Sequence, residues 1–282
     1  MQLEEFIRLA LQEDVGSGDH TSRALLPSDL RRKAELRIKS DGILAGMTVA
    51  QKVFEIVDSG ILFKPLLADG MPVRAGDRGF LVEGPAHGLL TAERLCLNLM
   101  QRMCGIATQT RQVVDAIAHT RCKVLDTRKT TPLNRAVEKM AVAIGGGVNH
   151  RMGLYDAILI KDNHIDYAGG VQEALRRASR YNTEHALKLP IVVEVRTLNE
   201  LQQLLDSHTI PDRVLLDNFR PERLLAAVEL VNRTLPTEAS GGITPESAAA
   251  YAETGVDFIS MGCLTQNPPP FDISLKATVD SL

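Results

Sequence analysis

The chain has 282 residues, with 32 Lys plus Arg against 35 Asp plus Glu and a formal net charge of −3. Hydrophobic residues make up 44% and charged residues 24%, which excludes a disordered chain and, with no basic surplus, argues against a nucleic-acid binder. No apolar run approaches the roughly 18 residues of a membrane span, and the length fits about two domains of roughly 100–200 residues each.

The opening MQLEEFIRLALQED reads as an amphipathic helix over 3–12. Its early acids do not suit a signal peptide, so the expected setting is the cytoplasm. The loop EDVGSGDHTS has the acids of a Ca²⁺ loop but no Glu at the twelfth position, and reads instead as a capping turn. A strand is expected at 34–38, a turn at Asp41-Gly42 and a helix at 49–57. DGMPVRAGDRGFLVEGPA alternates short β runs with Gly turns. A long helix begins at Thr91, with Leu95, Leu99, Met103 and Ile106 on one side, and is expected to run to about His119 with a break at Gly105.

Beyond residue 105 the pattern is regular. Strands are expected at 123–127, 157–162, 191–195, 213–217, 237–240 and 257–262, with helices at 132–144, 169–181, 197–206, 221–233 and 245–254. Strand–helix repeats of this length mean parallel strands with crossover helices. A doubly wound sheet and a closed α/β barrel both fit. The barrel is preferred because polar residues end strand after strand, and a barrel gathers those ends at one mouth. The tail after Gln266, with Pro268-Pro269-Pro270, is expected to cross back to the first domain.

The densest chemistry is cationic: Arg128 and Lys129 after the first barrel strand, His150 and Arg151 before the second, and Lys161 at its end. A lone Lys or Arg is usually a solvated surface residue. Several at one mouth point to a small, multiply anionic substrate, because Arg forks pair bidentately with carboxylate and phosphate. Glu194 and Asp217 end neighbouring strands and could serve as an acid/base pair or hold Mg²⁺. Ser240-Gly241-Gly242, ahead of a helix with Thr244 as N-cap and Pro245 at N1, and Gly262 offer backbone N–H groups to a phosphate. Gly145-Gly146-Gly147 more simply ends a helix. Cys96, Cys104, Cys122 and Cys263 lack metal spacing and read as buried free thiols.

TRKTTPLNRAVEKMAVAIGGGVNHRMGLYDAILIKDNH (127–164) resembles the signature of the quinolinate phosphoribosyltransferase family. EDVGSGDHTS, ERLCLNLMQRMCGIAT, VEV, LLDNF, SGGIT and GVDFISMGCLT extend the resemblance over nearly the whole chain, in the family's order. It implies an N-terminal α/β sandwich (1–105 plus the tail 268–282) and an incomplete, about seven-stranded α/β barrel (106–267). It implies a homodimer or dimer-based hexamer in which Arg102 reaches the partner's active site. The implied reaction joins quinolinate to phosphoribosyl pyrophosphate and yields nicotinate mononucleotide, CO₂ and pyrophosphate. Arg102, Arg128, Lys129, His150, Arg151 and Lys161 would then surround the quinolinate carboxylates, with Lys129 also suited to pyrophosphate. Glu194 and Asp217 would hold the ribose hydroxyls and Mg²⁺, directly or through water. Ser240, Gly241, Gly242 and Gly262 would take the 5′-phosphate. Lys129, Lys161, Glu194 and Asp217 would carry the chemistry.

The chain departs from the family pattern at Leu133-Asn134, where Gly-Leu is common, at Met140, where Tyr is common, and at Gln266, where many relatives have His. Rival readings are a phosphoribosyltransferase for nicotinate or another small acid, a paralogue from metal-uptake operons, a Schiff-base aldolase using Lys161, and an inactive phosphate-binding protein. Five cations exceed what one carboxylate needs, which favours the diacid.

Overall fold

In chain order, the computed structural model, which describes residues 2–278, begins with α1 (Leu3–Val15), α2 (His20–Leu25), β1 (Arg31–Ile38), β2 (Gly42–Ile43) and α3 (Met47–Val57). β3 (Leu62–Pro65), β4 (Pro72–Val73), β5 (Arg78–Pro85) and α4 (Ala86–Ala116) follow. Next come β6 (Lys123–Leu125), α5 (Arg135–Ile144), β7 (Ile158–Ile160), α6 (Asp162–Ala168), α7 (Val171–Glu184), β8 (Ile191–Val195) and α8 (Leu198–Leu205). The last are β9 (Arg213–Asp217), α9 (Pro221–Val231), β10 (Thr237–Ser240), α10 (Ala248–Ala252), β11 (Phe258–Ser260), α11 (Cys263–Gln266) and β12 (Ile273–Thr278).

These elements form two units. Among the described residues, the first holds those up to Arg111, Thr130–Gly146 and those from Leu264 onward, and the second holds Gln112–Lys129 and Gly147–Cys263. By its contacts the segment 130–146 groups with the first unit. The reason is close packing at the end of α5: a Cβ on Gly145 would lie 2.6 Å from the Ala107 carbonyl oxygen on α4. Residues 279–282 of the expected tail lie outside the described residues.

The first unit is built on an antiparallel sheet of order β12-β1-β5-β3. The tail returns as expected, with Leu275 opposite Leu36. Phe54, Phe63 and Phe80 cluster beside the sheet, with Phe63 and Phe80 ring centroids 4.6 Å apart, and Phe54 and Phe80 are fully buried. The EDVGSGDHTS loop caps α2: the Asp19 carboxylate accepts from the Ser22 N–H at 3.0 Å. The expected break at Gly105 does not occur, and α4 is one unbroken helix. Gly105 is required for a different reason, since any side chain there would collide with the Pro269 carbonyl.

The second unit is a parallel sheet of order β6-β11-β10-β9-β8-β7. Val148 adds a one-residue parallel bridge to Leu125 on the other side of β6. From β7 through β8, β9, β10 and β11 each strand neighbours the next in chain order, β11 pairs with β6, and β6 with Val148, which leaves Val148 and β7 as the one pair of successive positions without a ladder among the described residues. A doubly wound sheet would reverse direction part-way. The arrangement is a seven-position barrel with one unpaired seam, between Val148 and β7, among the described residues. Strand β8 is buried along its whole length, as a strand covered on both faces should be. Outside it, α8 buries Leu201 and Leu204, and α9 buries Leu224, Ala227 and Val231.

The helix expected at 245–254 is shorter than its sequence suggests. Thr244 and Ser247 bond reciprocally, with the Thr244 N–H donating to Ser247 Oγ at 3.0 Å and the Ser247 N–H to Thr244 Oγ1 at 3.4 Å. That capping pair closes a tight turn, and α10 starts only at Ala248.

Candidate active site

Parallel strands in register bring their C-terminal ends to one edge. On that edge of the second unit stand Arg128 and Lys129 beyond β6, His150 and Arg151 beyond Val148, Lys161 after β7, Glu194 in β8, Asp217 ending β9, Ser240 ending β10 and Gly262 after β11. All the barrel-borne candidates read from the sequence share this edge.

The cations are held differently. Arg128 and Lys129 are exposed. Arg151 is partly buried and donates from Nη1 to the Ala157 carbonyl at 3.1 Å. Burial first, and the positive charge of Arg128 second, lower the Arg151 pKa, while Asp156 works the other way. Two guanidinium groups that repel at the mouth favour an anion between them. Lys161 Nζ lies 2.7 Å from Glu194 Oε2, and its own N–H donates to His164 Nδ1 at 2.9 Å, which fixes the start of α6.

The two acids are unlike. The Glu194 side chain is 6% exposed and its charge is matched by Lys161. Asp217 has a raised pKa, caused first by burial and then by the negative charge of Glu194; Lys161 and an Asn218 hydrogen bond at 2.7 Å offset part of this. A cation shared by the two carboxylates would relieve that repulsion. Among the described residues no group of three or more His, Cys, Asp or Glu is arranged to hold a metal. Two hard oxygen donors on adjacent strands suit Mg²⁺, which commonly binds one or two carboxylates plus substrate phosphates.

The glycine turn after β10 is structurally specified. Gly241 and Gly242 have φ of +102° and +65°, and Gly241 is pressed against Asn218, whose backbone N would lie 2.9 Å from any added Cβ. Asn218 itself has φ +58° and donates to the Ser240 carbonyl at 2.8 Å, joining the β9 and β10 ends. Cys96, Cys104 and Cys122 are buried and Cys263 is partly so. Burial pushes the Cys104 and Cys122 thiols up to about 12, and raises Cys96 too, leaving poor nucleophiles.

Arg102 belongs to the first unit. Its Nε donates to the fully buried Glu138 carboxylate at 2.6 Å, and its Nη2 donates to Thr131 Oγ1 at 3.0 Å and to the Thr265 carbonyl at 2.7 Å.

The sequence profile described as the quinolinate phosphoribosyl transferase C-terminal domain matches residues 106–276, and that of the N-terminal domain matches 19–104. The chain belongs to the quinolinate phosphoribosyltransferase family. It is 43% identical to "Quinolinate phosphoribosyltransferase [decarboxylating] 2b, mitochondrial" of Nicotiana tabacum, over 97% of this chain and 82% of that protein. It is 39% identical to "Probable nicotinate-nucleotide pyrophosphorylase [carboxylating]" of Bacillus subtilis, over 100% of this chain and 95% of that protein. The solved nicotinate-nucleotide pyrophosphorylase of Francisella tularensis superposes with a TM-score of 0.90 at 38% identity, covering 98% of this chain and 96% of that one. Human nicotinic acid phosphoribosyltransferase, at 12% identity and a TM-score of 0.62, shares the fold alone.

Within this quinolinate phosphoribosyltransferase barrel, the structure adds residues that sequence reasoning missed. Asn218 supports Asp217 and the glycine turn. Asp126 and Glu238, both fully buried, flank the His150–Arg151 segment. The signal for them was an acidic residue within a stretch expected to be a buried strand, KVLDT and TEAS, a placement that needs a partner. Leu133 explains one departure from the family pattern: its φ is +64°, the left-handed conformation that the usual glycine adopts freely. Among the described residues no helix is long and apolar enough to cross a membrane.

Proposed function

We propose that the chain transfers the phosphoribosyl group of phosphoribosyl pyrophosphate to quinolinate with decarboxylation, giving nicotinate mononucleotide, CO₂ and pyrophosphate for NAD biosynthesis. The observation that carries this reading is the gathering of Arg128, Arg151 and Lys161 on one strand-end edge of the parallel sheet. That arrangement suits a small dianion better than a single carboxylate.

On this reading Arg128, Lys129, Arg151 and Lys161 hold the two carboxylates, with His150 beside them and Arg102 supplied by a second copy in a homodimer or dimer-based hexamer. The proposed setting is the cytoplasm. Ser240, Gly241, Gly242 and Gly262 take the 5′-phosphate on backbone N–H groups. Glu194 and Asp217 face the ribose and are the residues that would hold Mg²⁺, which when bound would neutralise the pyrophosphate oxygens. As the C1–O bond breaks, positive charge develops on the ribose ring, and the carboxylates of Glu194 and Asp217 stabilise it. The pyridine nitrogen then bonds to C1. Loss of the 2-carboxylate as CO₂ leaves an electron pair at that ring carbon, next to the cationic nitrogen. The Lys161 ammonium stabilises this pair electrostatically, and a proton completes the ring.

The test is direct. Purified protein with quinolinate, phosphoribosyl pyrophosphate and Mg²⁺ is expected to release CO₂ and nicotinate mononucleotide in equal amounts, and to stop when the metal is chelated. Nucleotide formation from nicotinate alone would overturn the reading.

A further inference from the structure

We propose that Glu238 and His150 are positioning residues, with Glu238 holding the His150 ring and the ring fixing the main chain of Arg151. They then act on quinolinate through Arg151. This rests on the reading above, in which Arg151 binds a quinolinate carboxylate.

Glu238 sits in the interior of β10 and is fully buried, an expensive place for a carboxylate without partners. Two-residue alternation puts it on the same face as Ser240, one step below the mouth. Its Oε2 accepts from Arg213 Nη1 at 2.8 Å, and the Arg213 guanidinium lies 4.3 Å from the Phe258 ring centroid. Its Oε1, which has no hydrogen-bond partner among the described residues, faces His150 Nε2 across 3.5 Å.

The other side of the imidazole is also engaged. His150 Nδ1 accepts from the Arg151 N–H at 2.7 Å. Nδ1 therefore acts as the acceptor and Nε2 carries the proton, facing Glu238. The His150 side chain is only 10% exposed. Its own N–H donates to the Oδ1 of Asp126, buried just beyond β6, at 2.8 Å. Residues 150–151 are thus pinned by Asp126, by the ring, and by the Arg151 Nη1 bond to Ala157. Nδ1 serves the Arg151 main chain and Nε2 is turned to the buried Glu238 carboxylate, so the group this assembly orients is the guanidinium of Arg151.

A double-mutant cycle tests the proposal. His150→Asn and Glu238→Gln are each made alone and in an Arg151→Ala background, and KM is measured for both substrates along with quinolinate Kd by calorimetry. Each single variant is expected to raise quinolinate KM and Kd about tenfold with little change in phosphoribosyl pyrophosphate KM. In the Arg151→Ala background neither should add more than about twofold, because the group they position is gone. The same tenfold loss in both backgrounds would overturn the proposal and make His150 a direct ligand contact. Arg151→Ala with normal quinolinate affinity would instead refute the assignment of Arg151 beneath it. Glu238→Gln keeps an acceptor for Arg213, so the link remains testable if His150→Asn does not fold.

Discussion

Replacing Lys161 by Met removes the cation that matches Glu194 and leaves two carboxylates on adjacent strands without it. Glu194 is 6% exposed and loses a 2.7 Å bond, whereas Lys161 is 48% exposed, so water can replace part of what is lost. An unsatisfied buried charged acceptor costs about 1–3 kcal/mol, and the open Lys161 side places this case near the lower end, about 1 kcal/mol. The melting temperature should then fall by about 2–4 °C. Catalysis should suffer more, because the proposed role of Lys161 is to face the carboxylate that leaves. Losing one partner of a charge pair with the substrate costs at least about 2 kcal/mol, or roughly 30-fold in kcat/KM for quinolinate. Thermal melts and steady-state product release on the same preparations measure both. A variant with near-normal kcat/KM and an unchanged melting temperature would refute this account of Lys161.

Burial and Glu194 raise the Asp217 pKa. A carboxyl raised in the folded state favours folding below its unfolded value of about 3.9 and loses that advantage as pH rises through the folded value. Asp217→Asn should therefore raise the melting temperature at neutral pH, leave it nearly unchanged in acid, and lower kcat/KM about a hundredfold; a lower neutral melting temperature would contradict the sign. Gly241→Ala should cost about 1–3 kcal/mol and raise KM for phosphoribosyl pyrophosphate, because its Cβ meets Asn218. Gly242→Ala has open space and should cost only about 1 kcal/mol for its left-handed backbone, so urea titrations of the two variants compare collision with strain. Leu133 is 73% exposed at φ +64°, so Leu133→Gly should stabilise the chain by about 1 kcal/mol in the same titration.

The barrel was legible because its signals are local. Apolar strands recur at near-constant spacing, and polar residues punctuate their ends, so the mouth residues from Arg128 to Gly262 could be placed on one edge before any contact was known. What escaped depends on distant packing. Gly105 reads as a helix breaker, yet its role is to admit the Pro269 carbonyl, more than 150 positions along the chain. Thr244-Pro245 reads as a helix start, yet its bonds to Ser247 close a turn first. The partners of Arg102, Glu138 and Thr265, lie 36 and 163 positions away. Glu238 and Asp126 were visible as acids within stretches expected to be buried strands, but the histidine between them could be linked only once three segments were brought together. Leu133 was visible as a departure, and its φ supplies the physical meaning.

The central claim is that the barrel mouth is built for a dianion, and the most direct measurement is kcat/KM for quinolinate against nicotinate with phosphoribosyl pyrophosphate and Mg²⁺. The missing carboxylate removes one set of charged contacts worth at least about 2 kcal/mol, so quinolinate should be preferred by about 30-fold or more. Equal values, or a preference for nicotinate, would contradict the account.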